Sequence, residues 1–138
     1  MTEFDTFGSW VLCHVGTMTN ELLYDVSGHV GVITFNRPDR MNTITGSMLA
    51  ALSELLLEAD ADDQVRVIVL TGNGRAWCAG LDVGAAASGE GIGGDGASGA
   101  TGEFNLRDAP PVVLNKIDTP TIAALNGGAA GYGMDLAL

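Results

Sequence analysis

The chain has 138 residues, 46% of them hydrophobic and 17% charged, which is typical of a globular protein and excludes a disordered one. Its net charge of −11 argues against a nucleic-acid partner, because phosphate binding requires a basic surface. A membrane span is not expected either, because the least polar long run, residues 121–138, contains Asn126, Asp135 and several glycines.

Cysteine usage and the first residues bear on the compartment. Cys13 and Cys78 provide no disulfide framework. The first ten residues carry Glu3 and Asp5 where a signal peptide has a basic region. We therefore expect a reducing, cytoplasmic location.

The N-terminal elements begin with a segment that shows no period. Residues 1–17 are predicted to be a disordered extension, unless Met18 is the true start. Two short strands follow at residues 22–26 and 30–35, joined by a tight turn into a β-hairpin. His29 at the tip of that turn is predicted to be a solvated turn residue.

A helix and a central strand come next. Residues 45–59 have apolar side chains at helical spacing, which predicts a helix packed on the sheet. The residues expected to face the sheet are Met48, Leu52, Leu55, Leu56 and Ala59. Residues 65–71 are a β-branched apolar run, which predicts a strand buried on both faces, as in a parallel sheet. Residues 77–82 then form a short, tightly folded segment after a glycine-containing break.

The second half opens with residues 84–102, rich in Gly, Ala and Ser and predicted to be a flexible insertion. A match to G-x-G-x-x-G at residues 89–94 is rejected as a dinucleotide site, because no strand precedes it and no helix pattern follows. Further elements are expected as a short helix at 110–117, a second buried strand at 121–125, a turn at 126–128, and a helix from Ala130 or Gly131 onward.

Three stretches in order carry a resemblance to a known family. Residues 34–42 read T-F-N-R-P-D-R-M-N, residues 75–83 read R-A-W-C-A-G-L-D-V, and residues 119–137 include T-P-T-I-A-A-L-N-G and A-G-Y-G-M-D-L-A. They resemble the L-N-R-P-x-x-x-N-A, F-x-A-G-x-D and K-P-x-I-A-A-V-N-G-x-A-x-G-G-G-x-E-L-A motifs of the crotonase family, the enoyl-CoA hydratases and isomerases. The resemblance covers residues 21–138.

The resemblance implies an α/β fold in which ββα repeats coil into the crotonase spiral. Residues 18–138 are then expected to be the N-terminal part of a crotonase-like domain, an incomplete spiral, because the complete α/β domain needs about as many residues again. Family members usually form trimers or dimers of trimers, so a homotrimer or hexamer is expected for the full-length parent.

The implied ligand is an acyl-CoA thioester, with coenzyme A as part of the substrate and no separate cofactor. No metal is expected, because the sequence has no metal-ligand spacing of Cys, His or carboxylates. The resemblance places the following residues along the substrate: Arg40, Met41, Ala79, Gly80, Leu81, Asp82, Val83, Gly131 and Tyr132. Arg37, Arg40 and Arg75 either meet the phosphates of this ligand or are ordinary loop arginines.

The implied chemistry begins with the thioester oxygen, which must be stabilised as it gains negative charge, a task for two backbone N–H groups. The family's two donors align with the N–H groups of Leu81 and Tyr132. The position of Tyr132 is usually glycine in the family. The positive end of the last helix's dipole would also act on the thioester oxygen. Asp135 aligns with the first of two catalytic glutamates, and its carboxylate reaches about 1.5 Å less. Its alternative role is that of a first-turn aspartate favouring the helix dipole. The second glutamate aligns beyond Leu138.

Two hypotheses stand at this point. The first is an acyl-CoA hydratase or isomerase, with this chain truncated and inactive alone. The second is a non-catalytic acyl-CoA-binding or assembly partner, which the lone Asp135 and the bulky Tyr132 favour. Cys78 is expected to be a buried thiol and not a nucleophile, because no histidine motif accompanies it.

Overall fold

The computed structural model describes residues 20–88 and 106–138, which form two β-sheets and four α-helices. The strands are β1 Leu22–Ser27, β2 Val30–Phe35, β3 Val67–Gly72, β4 Ala76–Cys78, β5 Thr121–Ala123 and β6 Gly128–Ala129. The helices are α1 Gly46–Ala61, α2 Val83–Ala87, α3 Pro110–Leu114 and α4 Tyr132–Ala137, with 3-10 turns at Pro38–Arg40 and Leu106–Asp108. Within these two ranges, the helices are too short or too polar to cross a lipid bilayer.

The larger sheet has four strands in the order β1-β2-β3-β5. Strands β1 and β2 are antiparallel, whereas β2 pairs with β3, and β3 with β5, in parallel. The parallel pairing of β2 and β3 requires a crossover connection, which α1 supplies. The predicted order of strand, strand, helix, strand is therefore confirmed, and the fold class is mixed α/β.

The predicted hairpin is present, and its turn is tied to the rest of the sheet. Gly28 and His29 have φ angles of 55° and 70°, and positive φ at both central residues is what a two-residue type I′ hairpin turn requires. His29 is exposed as predicted, but its Nδ1 lies 2.9 Å from the carbonyl oxygen of Gln64. Its own carbonyl accepts a hydrogen bond from the N–H of Arg66, so the turn also fixes the entry to β3.

The hydrophobic core lies between α1 and one face of the larger sheet. Helix α1 begins after Thr45, whose Oγ1 accepts a hydrogen bond from the N–H of Met48 at 3.3 Å, a standard N-cap. The predicted inward side chains are buried except Leu55, which is partly exposed. The aromatic centre of the core is an edge-to-face pair of Phe35 and Trp77, with ring centroids 5.4 Å apart. Full burial of one such large side chain contributes about 1.5–3 kcal/mol.

Burial of the sheet differs from the sequence-based expectation. In β3, Ile68 and Leu70 are buried, whereas Val67 and Val69 are only partly covered, so the prediction of burial on both faces is wrong. The prediction of a second buried strand is also wrong, because Ile122 of β5 is 53% exposed. The physical reason is that the core packs on one face of the sheet and β5 is its edge strand in the described part of the chain. Apolar composition predicts a strand but does not report how many of its faces are covered.

The segment predicted as a flexible insertion begins with regular structure. Residues 84–87 belong to α2, which Asp82 caps by accepting a hydrogen bond from the N–H of Ala85 at 3.1 Å. Residues 89–102 of that segment, and the predicted N-terminal extension of residues 1–17, lie outside the described residues, so their predicted mobility stays a prediction. Helix α3 ends three residues earlier than expected, and α4 begins after Gly131 as predicted.

Candidate active site

The site is organised by a second sheet that the sequence did not reveal. Strand β4 pairs in parallel with β6, with Ala76 opposite Gly128 and Cys78 opposite Ala129. These residues were expected to form a tight loop and a turn, because strands of three and two residues are too short to show a period. Since parallel strands run in the same direction, the segments that follow β4 and β6 emerge at one edge of this sheet. This edge is where the two predicted backbone donors lie.

Backbone contact between the two turns depends on glycine. Gly80 has a φ of 99°, and a methyl group there would lie 3.0 Å from the carbonyl oxygen of Ala130 and 3.6 Å from the amide nitrogen of Tyr132. A methyl group on Gly133 would overlap the carbonyl oxygen of Cys78. The chain after β4 and the start of α4 are therefore in contact, and side chains at these two positions would separate them.

The N–H groups of Leu81 and Tyr132 are the two backbone donors that the motifs predict. Leu81 forms an isolated parallel bridge with Ile44, in which the bonds run from the N–H of Ile44 to the oxygen of Gly80 and from the N–H of Asp82 to the oxygen of Ile44. That pattern leaves the N–H of Leu81 without a partner. In residues 20–88 and 106–138, neither this N–H nor that of Tyr132 donates a hydrogen bond to another part of the chain. Within the described residues, two neighbouring turns thus present N–H groups without a hydrogen-bond partner.

Asp135 lies on the same short helix but faces a different space. It is exposed and lines an open cavity of about 170 Å³ between β5 and the two last helices. The other lining residues are Leu70, Pro111, Leu114, Asn115, Thr121, Ala123, Leu136, Ala137 and Leu138. Leu81 and Tyr132 do not line this cavity. The structure therefore places the predicted carboxylate one helical turn from the Tyr132 donor without bringing both into one cavity.

Tyr132, which stands where the resemblance implies glycine, is partly buried. The ring of Tyr132 packs against the hydrophobic core, and its hydroxyl is buried with no hydrogen-bond partner among the described residues. Burial first, and then the nearby carboxylate of Asp135, raise the pKa of Tyr132 to about 12. Within the described residues the ring therefore packs into the protein, while the backbone N–H stays free.

This burial predicts an alkaline transition that spectroscopy can follow. The chain has two tyrosines, and burial also raises the pKa of Tyr24 above its ordinary value. Because the unfolded phenol ionises near pH 10 and folded Tyr132 near 12, the stability that Tyr132 contributes is complete below about pH 10 and is lost as the pH rises toward 12. In an ultraviolet titration of the folded protein, neither tyrosine should ionise with a midpoint at 10. The Tyr132→Phe variant should lack the step near 12, and a wild-type midpoint at 10 for both tyrosines would contradict this placement.

Arg37 has a role that neither sequence-based alternative foresaw. Its Nε lies 3.1 Å from Glu21 Oε1, its Nη2 lies 3.0 Å from Asp82 Oδ2, and its Nη1 donates to the carbonyl oxygen of Thr43 at 2.6 Å. Its side chain is only 15% exposed, so it is neither an ordinary loop arginine nor free to meet a phosphate. The N–H of Ala85 first, and then Arg37, hold the pKa of Asp82 below its usual value.

Two asparagines of the motifs are structural anchors that sequence reasoning missed. Asn42 is fully buried, and its Nδ2 donates to the carbonyl oxygens of Asn73 and Ala76 at 2.9 and 2.8 Å. Asn126 donates to the oxygen of Gly74 at 2.8 Å. Both side chains therefore hydrogen-bond to the turn between β3 and β4, and connect it to the segments that contain Asn42 and Asn126. Their position in turn-forming stretches of the motifs was the available signal.

The remaining predicted substrate-binding residues lie on the surface near this turn. Arg40 and Met41 are exposed, and the carbonyl oxygen of Met41 accepts a hydrogen bond from the N–H of Ala79 at 3.0 Å. Val83 is 80% exposed at the start of α2. The structure therefore brings the loop of residues 40–41 beside the Ala79 segment.

Cys78 and the acidic residues provide no further chemistry in the described part of the chain. Cys78 is fully buried, and burial raises the pKa of its thiol, which opposes a nucleophilic role. The described residues contain no group of three or more His, Cys, Asp or Glu side chains that could hold a metal ion.

Comparisons with known proteins agree with the motifs. The family model for enoyl-CoA hydratase/isomerase matches residues 25–138. A probable enoyl-CoA hydratase of Mycobacterium tuberculosis, EchA14, is 41% identical over 117 residues, which are 85% of this chain and 43% of that protein. The 1,2-epoxyphenylacetyl-CoA isomerase of Escherichia coli is 37% identical over 123 residues, 88% of this chain and 45% of that protein.

Solved structures show the same relationship. The enoyl-CoA hydratase EchA8_6 from Mycobacterium marinum superposes with a TM-score of 0.69 at 32% identity, over 82% of this chain and 51% of that chain. An enoyl-CoA hydratase subunit from Geobacillus kaustophilus gives a TM-score of 0.68 at 36% identity, over 85% of this chain and 42% of that chain. This chain spans less than half the length of the curated relatives named above. The resemblance read from the three motifs is confirmed, and the chain belongs to the enoyl-CoA hydratase/isomerase family.

Proposed function

We propose that the protein acts on an acyl-CoA thioester and that the N–H groups of Leu81 and Tyr132 form the oxyanion hole for the thioester enolate. The observation that carries this proposal is a pair of N–H groups that have no partner among the described residues and lie on two turns in contact at Gly80. A thioester oxygen bound between them would gain two hydrogen bonds as its negative charge develops. One such donor is typically worth about 3 kcal/mol in the transition state.

In this proposal Asp135 exchanges a proton with the substrate or with a water molecule. Both hydration and isomerisation need a proton moved at carbon, and a carboxylate one helical turn from a donor is suited to that role. The relatives include a probable hydratase and a protein named as an isomerase, so both reactions fit the family. Coenzyme A takes part as a portion of the substrate, with Arg40 and Met41 beside its nucleotide.

A second candidate function is acyl-CoA binding without turnover. It is favoured by one observation, namely that Asp135 lines a cavity to which neither Leu81 nor Tyr132 contributes. In this case the thioester would be held by the two N–H groups but would meet no base.

For the protein's setting, we infer an oligomer, a trimer or hexamer, in the cytoplasm. Apolar side chains exposed on β1, β5 and the following turn support association, with Leu23 at 46%, Ile122 at 53% and Leu125 at 52% exposure. The free thiol of Cys78 agrees with a reducing compartment.

The proposal can be tested by the carbonyl group of a bound substrate. Butyryl-CoA labelled with ¹³C at the thioester carbonyl should show a lower C=O stretching frequency when bound to the protein, because two N–H donors polarise the bond. The thioether analogue, which lacks the carbonyl oxygen, is the matched control and should bind more weakly. An unchanged carbonyl frequency in a saturated complex would overturn the oxyanion hole.

Turnover of crotonyl-CoA and of its 3-enoyl isomer separates the two candidate functions. If the protein is an enzyme, Asp135→Asn should lower kcat about 10²- to 10⁴-fold while acyl-CoA binding persists. The binding function is favoured if the wild type and Asp135→Asn both turn over the two substrates at the background rate while the carbonyl of bound butyryl-CoA is polarised.

A further inference from the structure

Arg37 and Asp82 form an ion pair that joins the end of β2 to the residue next to a proposed oxyanion donor. They are 45 residues apart in sequence, and their side chains are only 15% and 11% exposed. Every nitrogen of the guanidinium takes part, because Nε contacts Glu21, Nη1 contacts Thr43 and Nη2 contacts Asp82. One cation thus meets two carboxylates, which leaves the cluster with no positive charge to attract the phosphates of coenzyme A.

The carboxylate of Asp82 is fixed from several sides. Besides Arg37, its Oδ2 accepts a hydrogen bond from Thr43 Oγ1 at 3.3 Å, and its Oδ1 accepts one from the N–H of Ala85 at 3.1 Å. The backbone N–H of Asp82 donates to the oxygen of Ile44 at 2.9 Å. Asp82 therefore has little freedom to rotate.

Leu81, in contrast, has few anchors of its own. Its side chain is 38% exposed, and its neighbour Gly80 has the backbone freedom of a residue without a side chain. The Leu81 N–H lies in the peptide plane that it shares with the carbonyl of Gly80, whose oxygen accepts a hydrogen bond from the N–H of Ile44 at 2.8 Å. The next peptide plane is held by the N–H of Asp82, which donates to the oxygen of Ile44 at 2.9 Å. The direction of the Leu81 N–H therefore depends on the bridge to Ile44, and Asp82 holds the far end of that bridge.

We propose that Arg37 is a positioning residue, which aims the Leu81 N–H at the thioester oxygen by clamping Asp82. This inference rests on the proposed function and adds to it a residue that touches no substrate. Arginine suits the role because its planar fork holds Asp82, Glu21 and Thr43 in one geometry, which the single ammonium group of lysine cannot do. Loss of the clamp tilts the donor by a fraction of an ångström, and misplacement of about 1 Å can cost as much as 10²-fold in rate.

The test compares three variants of the protein. Arg37→Lys and Asp82→Asn each weaken the clamp, whereas Glu21→Gln removes an ion pair of similar length on the other side of the same guanidinium. Arg37→Lys and Asp82→Asn should lower kcat about 10- to 100-fold with KM changed much less, and should remove most of the carbonyl frequency shift of bound butyryl-CoA. Glu21→Gln should keep that shift.

The outcomes are distinct. If the wild type polarises the carbonyl and Arg37→Lys and Asp82→Asn polarise it equally, the positioning role is wrong although the oxyanion hole stands. If the wild type itself shows no shift, the proposed function fails first. A purely structural role predicts equal losses of stability in all three variants with no change in the carbonyl frequency. If Arg37→Lys fails to fold, Asp82→Asn is the deciding variant, because asparagine has nearly the same shape as aspartate. Amide exchange gives a second readout that needs no substrate: the Leu81 N–H should exchange faster in Asp82→Asn than in Glu21→Gln.

Discussion

Replacing Gly127 with alanine is expected to destabilise the protein by about 3 kcal/mol or more, whereas the same change at the adjacent Gly128 should be nearly neutral. A methyl group on Gly127 would overlap the carbonyl oxygen of Arg75 and lie 3.0 Å from the Cα of Ala76. These are backbone atoms that cannot rotate away, so the cost lies at the upper end of the range for overpacking. A methyl group on Gly128 meets no atom within 4 Å. Replacing a glycine at an unstrained position can stabilise the folded protein by a few tenths of a kcal/mol, because alanine lowers the conformational entropy of the unfolded chain.

The measurement is equilibrium unfolding in urea on both variants, read as the shift in the denaturation midpoint at constant slope. Gly127→Ala should also weaken acyl-CoA binding, because displacing this turn moves β6 away from β4 and so separates Tyr132 from Gly80. Equal midpoints for the two variants would show that the backbone near Arg75 relaxes freely, and that the two turns are not locked together as described.

The sequence was sufficient for elements with a clear period. The hairpin, α1 and β3 were predicted to within a few residues, because alternation and helical spacing record which side chains face the core. The start of α4 after Gly131 was also predicted, from the glycines of the third motif and the motif's resemblance to the family.

What the sequence could not show depends on contacts between distant residues. Strands β4 and β6 have three and two residues, so their pairing carries no local signal. The partial exposure of Val69 and Ile122 depends on which elements cover the sheet, which a local pattern does not report. The ion pair of Arg37 with Asp82 spans 45 residues, and each partner alone has the sequence context of an ordinary loop residue.

For the site, the resemblance names backbone positions, and the structure adds the contacts of the side chains. It placed Leu81 and Tyr132 on neighbouring turns, because backbone geometry follows from the glycines beside them. It assigned Asp82 to the substrate through the backbone of residues 79–83, and the structure adds that the carboxylate of Asp82 contacts Arg37, Thr43 and the N–H of Ala85. The side chain and the backbone N–H of one residue can therefore have separate roles.

The same distinction underlies the second large effect, which concerns the N–H of Tyr132. A backbone donor can be removed only by proline, and Tyr132 is the first residue of α4, where proline is tolerated because that N–H has no partner in the helix. Tyr132→Pro should therefore leave α4 intact but delete one of the two proposed oxyanion donors. The expected loss is about 10²- to 10³-fold in kcat for an enoyl-CoA substrate, the usual effect of removing one such donor.

Tyr132→Ala is the matched control, because it also removes the buried ring but keeps the N–H. Any cost of losing the ring's packing against the core is common to both variants. The difference between them in kcat, and in the carbonyl frequency of bound butyryl-CoA, therefore isolates the donor. We expect Tyr132→Ala to retain the frequency shift and Tyr132→Pro to lose about half of it, since Leu81 still donates. If the two variants lose activity equally and both keep the full shift, the N–H of Tyr132 does not bind the thioester oxygen, and the unused donor on this turn has another purpose.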